Sequence, residues 1–171
     1  RAAVDLEELG PIALNVDCDI LNADGGTRCA SITAANLALR LGVRRLIAAG
    51  VCLPKNMRPT EEQRRSGWSP PVLSEEEQMA HEMRVMEHDV AAISVGLIDG
   101  KSYLDLDYNL DSNADVDMNV VKVSNGAFVE VQGTGEESTY QREELDALLD
   151  MADIGFEALF EMQKTILHGQ Q

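Results

Sequence analysis

Apolar residues recur with two different periods along this chain, and the change from one to the other marks its elements. From Ile12 to Leu21, IALNVDCDIL, apolar and polar residues alternate, which predicts a strand with Leu14, Val16, Cys18 and Ile20 on one face. Ahead of it, Val4, Leu6 and Leu9 among acids read as the end of a helix running from Arg1 to Leu9 and stopped by Gly10-Pro11. Beyond it the period lengthens to that of a helix from about Cys29 to Ala49, with Ile32, Ala35, Leu39 and Leu46 as apolar positions and Gly50 as the stop. Ala91 to Leu97 is a short unbroken apolar run, the pattern of a buried strand, and Asp99-Gly100 after it predicts a hairpin turn. Val120 to Val123 and Phe128 to Val131 are two more strands, joined across Asn125-Gly126. A long helix follows from about Gln141 to His168, with Leu145, Leu148, Ala152, Leu159, Met162 and Ile166 on its inner face. Four or five antiparallel strands with two substantial helices define an α+β layered sandwich.

Between the first long helix and the buried strand, residues 51–89 change composition to Pro, Arg, Glu and Met and read as a helical insert. Thr60 with Gln63 and Ser74 with Glu77 fit capping boxes, so two helices are expected on either side of the Gly67 to Pro71 break. Met79, Met83 and Met86 recur at helical spacing, which predicts a packing face against the domain or a partner subunit. His81 and His88 lack a third ligand type and are expected to be solvated.

Candidate chemistry sits in two places. The stretch Tyr103 to Asn119, YLDLDYNLDSNADVDMN, holds Asp105, Asp107, Asp111, Asp115 and Asp117 among apolar residues. As an extended strand it would put Asp105, Asp107 and Asn109 on one face and the leucines on the other. Three readings compete: a solvated acidic face, a calcium loop, or an acid/base and metal site. A calcium loop fails, because its sixth position, which needs Gly, is Leu110 and its twelfth, which needs Glu, is Val116. The second place is Asn22 to Arg28, NADGGTR, a glycine turn opening a helix. Unpaired backbone N–H groups and the positive end of the dipole make such a turn an anion site, and Thr27 and Arg28 would add a hydroxyl and a charged fork. A plain helix start, with Gly25 and Gly26 turning the chain and Thr27 capping, explains the same residues.

A length of 171 residues supports one domain with a real core. Net charge is −16, and residues 91–171 hold four Lys or Arg against sixteen Asp or Glu. General nucleic-acid binding by phosphate neutralisation is thereby disfavoured, and any such site must be local, drawn from Arg28, Arg40, Arg44, Arg45, Arg58, Arg64 and Arg65. No apolar run reaches the roughly 18 residues of a membrane span. Cys18, Cys29 and Cys52 are odd in number and not closely paired, and the first residues lack the apolar run of a signal peptide; a reducing cytoplasm is expected.

Taken together, VDCDILNADGGTRCASITAANLAL (Val16 to Leu39), VGLIDGKSYLDLDYNLDSNADVDMNVV (Val95 to Val121) and FVEVQGT (Phe128 to Thr134), followed by the long C-terminal helix, closely resemble the ribonuclease PH family. The resemblance implies its layered α/β sandwich (ribosomal protein S5 domain 2-like), with an antiparallel or mixed sheet packed by helices. It also implies a phosphorolytic 3′-to-5′ exoribonuclease that trims transfer-RNA precursors and other RNA and releases nucleoside diphosphates. On this basis Gly26, Thr27 and Arg28 would bind the attacking inorganic phosphate. Asp105 and Asp111 would serve catalysis, and Asp105, Asp107 and Asp111 would hold Mg²⁺, with Asp115 and Asp117 structural. RNA 3′ ends and a homo-oligomeric ring, a hexamer, are the implied partners. A non-catalytic structural or RNA-binding subunit of such a ring is the alternative. Three departures from the family pattern stand out: the chain starts after an N-terminal part of the family's domain, Cys29 and Ala34 replace the usual Thr and Gly, and residues 51–89 exceed the family's short connection.

Overall fold

A computed structural model describes residues 2–136 and 138–169. Two compact units emerge: residues 17–37 with the chain from Asp89 onward, and residues up to Val16 with Ala38–His88. Helix α2, Thr27–Ala48, gives its first turns to the former and the remainder to the latter.

The unit containing the acidic stretch is built on a four-stranded antiparallel sheet in the order β2-β1-β3-β4, where β1 is Val90–Ile98, β2 Lys101–Leu104, β3 Val116–Val123 and β4 Phe128–Gly135. Helix α6, Arg142–His168, covers one face. Ile93, Val95, Val116, Met118 and Val120 from the central strands pack there against Leu148, Ala152 and Phe156. Gly155 allows the close approach, since a Cβ on it would come within 2.2 Å of Ile93 Cδ1. The expected hairpins form, with Asp99 and Gly100 both at positive φ and Gly126 at φ 91°. The α+β architecture agrees with the sequence.

Beyond the reach of β2, the edge of β1 is closed by two side chains and one backbone N–H rather than by a strand. Gln163 Nε2 donates to Val90 O (3.0 Å), Thr33 Oγ1 exchanges bonds with Ala92 N and O (3.0 and 3.2 Å), and Asp105 N donates to Ser94 O (2.8 Å). Each satisfies a buried backbone group that would otherwise be costly.

The other unit packs Leu9, Val43, Ile47, Leu53, Leu73, Val85 and Met86 into a small core. Its helices are α1 (Leu6–Leu9), the later turns of α2, α3 (Glu61–Arg65) and α4 (Glu75–Val85); both expected capping boxes are present, at Thr60/Gln63 and Ser74/Glu77. Glu82 carries a buried ion pair with Arg40 (3.1 Å) and a second with Arg44 (2.8 Å).

Five expectations are corrected. Residues 12–20 are not a strand: none of them pairs with a described residue in a sheet, and Leu21 is 97% exposed. Helix α1 is not the end of a helix but a single turn opened by Asp5, whose carboxylate accepts from Glu7 N and Glu8 N; Arg1 lies outside the described residues. The buried positions of α2 include Asn36, Arg40, Val43 and Ile47, offset from the expected apolar ones; Asn36 donates to Asp89 and Arg40 pairs with Glu82. On α4 His81, expected to be solvated, is fully buried, and the inward face is His81, Glu82 and Val85, with Met86 buried just beyond the helix and Met79 and Met83 exposed. On α6 Met162 and Ile166 are exposed, and Gln163 and Leu167 point inward in their place.

Candidate active site

The acidic stretch is not a single strand. Strand β2 ends at Leu104, Asp105 takes a left-handed conformation (φ 55°), and Asp107 caps a one-turn helix, α5 (Tyr108–Asp111), before β3 begins. Asp tolerates positive φ better than most side chains, and the bond from its N–H to Ser94 O holds it there. Asp105 and Asp107 therefore do not share a strand face. Asp107 accepts from Leu110 N (2.8 Å), a capping role. Asp115 accepts from Asp99 N (2.9 Å) and braces the hairpin turn.

The glycine turn lies against this segment. A Cβ on Gly25 would sit 1.9 Å from Leu106 O, so backbone meets backbone with no room for a side chain. Gly26 (φ 70°) faces Ser94 and Asp105, whose Oγ and Oδ1 would lie 3.1 and 3.9 Å from a Cβ placed there. Asp24 ties the two segments: its Oδ1 accepts from Gly25 N (2.9 Å) and from Tyr108 N (2.5 Å). Leu106, 1% exposed, is the wedge beneath them, held by Ser94 Oγ at its N–H (3.3 Å) and packed against Gly96, where a Cβ would strike it at 2.6 Å.

From this turn α2 starts at Thr27. Its first backbone bond runs from Ala30 N to Gly26 O (3.0 Å) and leaves the N–H groups of the opening turn directed outward. Arg28 donates to Glu130 Oε1 on β4 (2.6 Å). Cys29 is buried and donates to Asn119 Oδ1 on β3 (2.8 Å). Burial, then the charge of Asp117, pushes its thiol up to about 12, against the lowering influence of Arg28. Directly opposed residues share a sheet face, which places Ser94, Asn119 and Gln132 in one row and Gly96, Asp117 and Thr134 in the next.

Desolvation raises the Asp117 carboxyl, and the charges of Asp111 and Glu136 raise it further. Asp117, expected to be structural, is thus the half-buried acid that feels Asp111. No group of three His, Cys, Asp or Glu able to hold a metal is found among the described residues. Of the candidate arginines, Arg28 lies beside the acids, while Arg40 and Arg44 fold onto Glu82 and Arg58 donates to Leu53 O and Glu7 O.

Sequence reasoning paired the two motifs but missed Asp24, Ser94, Asn119 and Glu130. An Asp directly before a glycine turn was the available signal for Asp24; the other three are defined only by strand register.

A glycine turn that opens a helix is thus set against an acid-bearing segment beside the sheet of an α+β protein. The "3' exoribonuclease family, domain 2" matches residues 88–155. Ribonuclease PH of Corynebacterium diphtheriae is 45% identical over 98% of this chain and 57% of its own length, and that of Rhodopirellula baltica is 45% identical over 98% and 58%. The chain belongs to the ribonuclease PH family, and it spans a little over half the length of these curated relatives. The crystal structure of rice Rrp46 is similar with a TM-score of 0.45 and 13% identity, covering 53% of this chain and 43% of that one.

Proposed function

We propose that this chain carries the phosphate site and catalytic acids of a phosphorolytic 3′-to-5′ exoribonuclease. The observation that carries the reading is the contact of Gly25 with the Leu106–Asp107 backbone, which sets the anion-binding turn against the acids. Inorganic phosphate would sit at the opening turn of α2, on Gly26, Thr27 and Arg28, with the helix dipole and the guanidinium offsetting repulsion from the phosphodiester under attack. Asp105 and Asp111 are the proposed catalytic carboxylates; in protonated form, one of them would donate to the departing 3′ oxygen. Carboxylates of this kind suit Mg²⁺, which prefers few carboxylates plus water and phosphate oxygens. Asp105 and Asp111 would hold it, while Asp107 already uses an oxygen on Leu110 N. The ion would neutralise charge on the scissile phosphate.

Transfer-RNA precursors as substrates, a hexameric ring and a cytoplasmic setting belong to the same proposal. It is supported by the names of the relatives, each "Ribonuclease PH". The test is incubation of the protein with a 3′-extended transfer RNA, Mg²⁺ and phosphate. Nucleoside diphosphates are expected to form, at a rate at least about 100-fold lower in Arg28→Ala and Asp111→Asn. Unchanged rates in both variants would refute the assignment.

A further inference from the structure

Arg28 is the only cation among the charges acting on Cys29; the others there are the carboxylates of Asp117, Asp105 and Glu130. Arg28 is bonded to the one that comes from β4, at 2.6 Å from Glu130 Oε1. Glu130 stands opposite Val121, on the sheet face shared by Asn119 and Asp117, and one atom of the guanidinium, a terminal nitrogen, makes this bond. A guanidinium has five N–H donors, so the contact holds the group from one side and leaves other donors available.

We infer that Glu130 is a positioning residue: it holds Arg28 beside the opening turn of α2 and away from the acids of the site. This rests on the proposed phosphate role of Arg28. Without Glu130, the guanidinium would be left with the carboxylates of Asp117 and Asp105 that act beside it on Cys29, and a pair formed there would remove the cation from phosphate and alter the charge on the carboxylates together. With Glu130, the fork is ordered before phosphate arrives, and binding does not have to immobilise a long side chain.

The experiment is titration with inorganic phosphate, followed by ³¹P NMR, of the full chain and of Glu130→Ala, Glu130→Gln and Arg28→Ala, with melting temperatures measured alongside. Glu130→Gln keeps an acceptor for the guanidinium. It should bind phosphate within about twofold of the parent, whereas Glu130→Ala weakens binding by roughly two- to tenfold, the range expected for ordering one long side chain. Melting temperatures of the two should agree, because an exposed pair contributes little to stability. If Glu130→Ala binds phosphate as well as or better than the parent while Arg28→Ala has lost it, the positioning role is wrong and the phosphate site stands. If Arg28→Ala binds as the parent does, the phosphate site and the positioning role fail together. A second measurement does not depend on phosphate: the Arg28 Nε–H resonance should broaden or shift in Glu130→Ala and return in Glu130→Gln. An unchanged resonance in Glu130→Ala overturns the inference.

Discussion

At the scale of single residues, identity matters most where backbones meet. Gly25 tolerates no Cβ because Leu106 O would be 1.9 Å away, whereas Gly42, in the middle of α2, has nothing within 4 Å. Gly25→Ala is therefore expected to lose at least about 3 kcal/mol in denaturant titrations, through backbone displacement, and Gly42→Ala to gain about 0.5–1 kcal/mol. The cysteines offer a second comparison. Cys18 is exposed, while burial raises the thiols of both Cys29 and Cys52. Iodoacetamide reacts with thiolates, so mass spectrometry of the native protein at neutral pH should show alkylation at Cys18 only. Modification of Cys29 at a similar rate would contradict the burial described here.

Among elements, α4 is the one whose sequence misleads most. Its Met stripe suggested an apolar face and His81 a solvated one, yet His81 is fully buried, with Nε2 3.5 Å from Cys52 Sγ and Nδ1 4.0 Å from Glu8 Oε2. Burial first, and then the charges of Arg84 and Arg58, hold its pKa below the ordinary 6.5, against the raising influence of Glu8. The unfolded chain takes up this proton near 6.5 while the folded one stays neutral. The stability contribution is thus complete above that pH and falls as pH drops below it. Chemical denaturation at pH 7 and pH 5 should show a smaller loss on acidification in His81→Leu than in the parent; equal losses would exclude His81 as the source. The acidic stretch shows the reverse lesson. Its alternation fitted a strand, but β2 ends at Leu104 and Asp107 caps α5 instead of sharing a strand face with Asp105.

For the whole molecule, order is expected to follow the sheet. Strands β1 and β3 are central and pack on α6, while β4 is an edge and residues 12–20 have no regular pairing. Amide exchange followed by mass spectrometry should find β1 and β3 the slowest, β4 intermediate and residues 12–20 the fastest. Rapid exchange in β1 would be incompatible with this core. The charge of −16 acts at this scale too: the overall field repels polyanions, so any attraction for one has to come from local groups.

Local sequence was enough for whatever depends on near neighbours: both hairpin turns, both capping boxes, the long helices within a residue or two, and the glycine turn that opens α2. Backbone conformation and capping are decided over three or four residues, so they are legible in order of reading. What only the tertiary structure decided is which groups face one another. The edge of β1 selects Thr33, Gln163 and Asp105 to complete its hydrogen bonds; strand register brings Glu130 to Arg28 and Asn119 to Cys29; and the seating of Leu106 lays the glycine turn on the acids. Buried backbone groups must be paired and buried volume filled, and the partners that do so lie up to 130 positions apart in the chain.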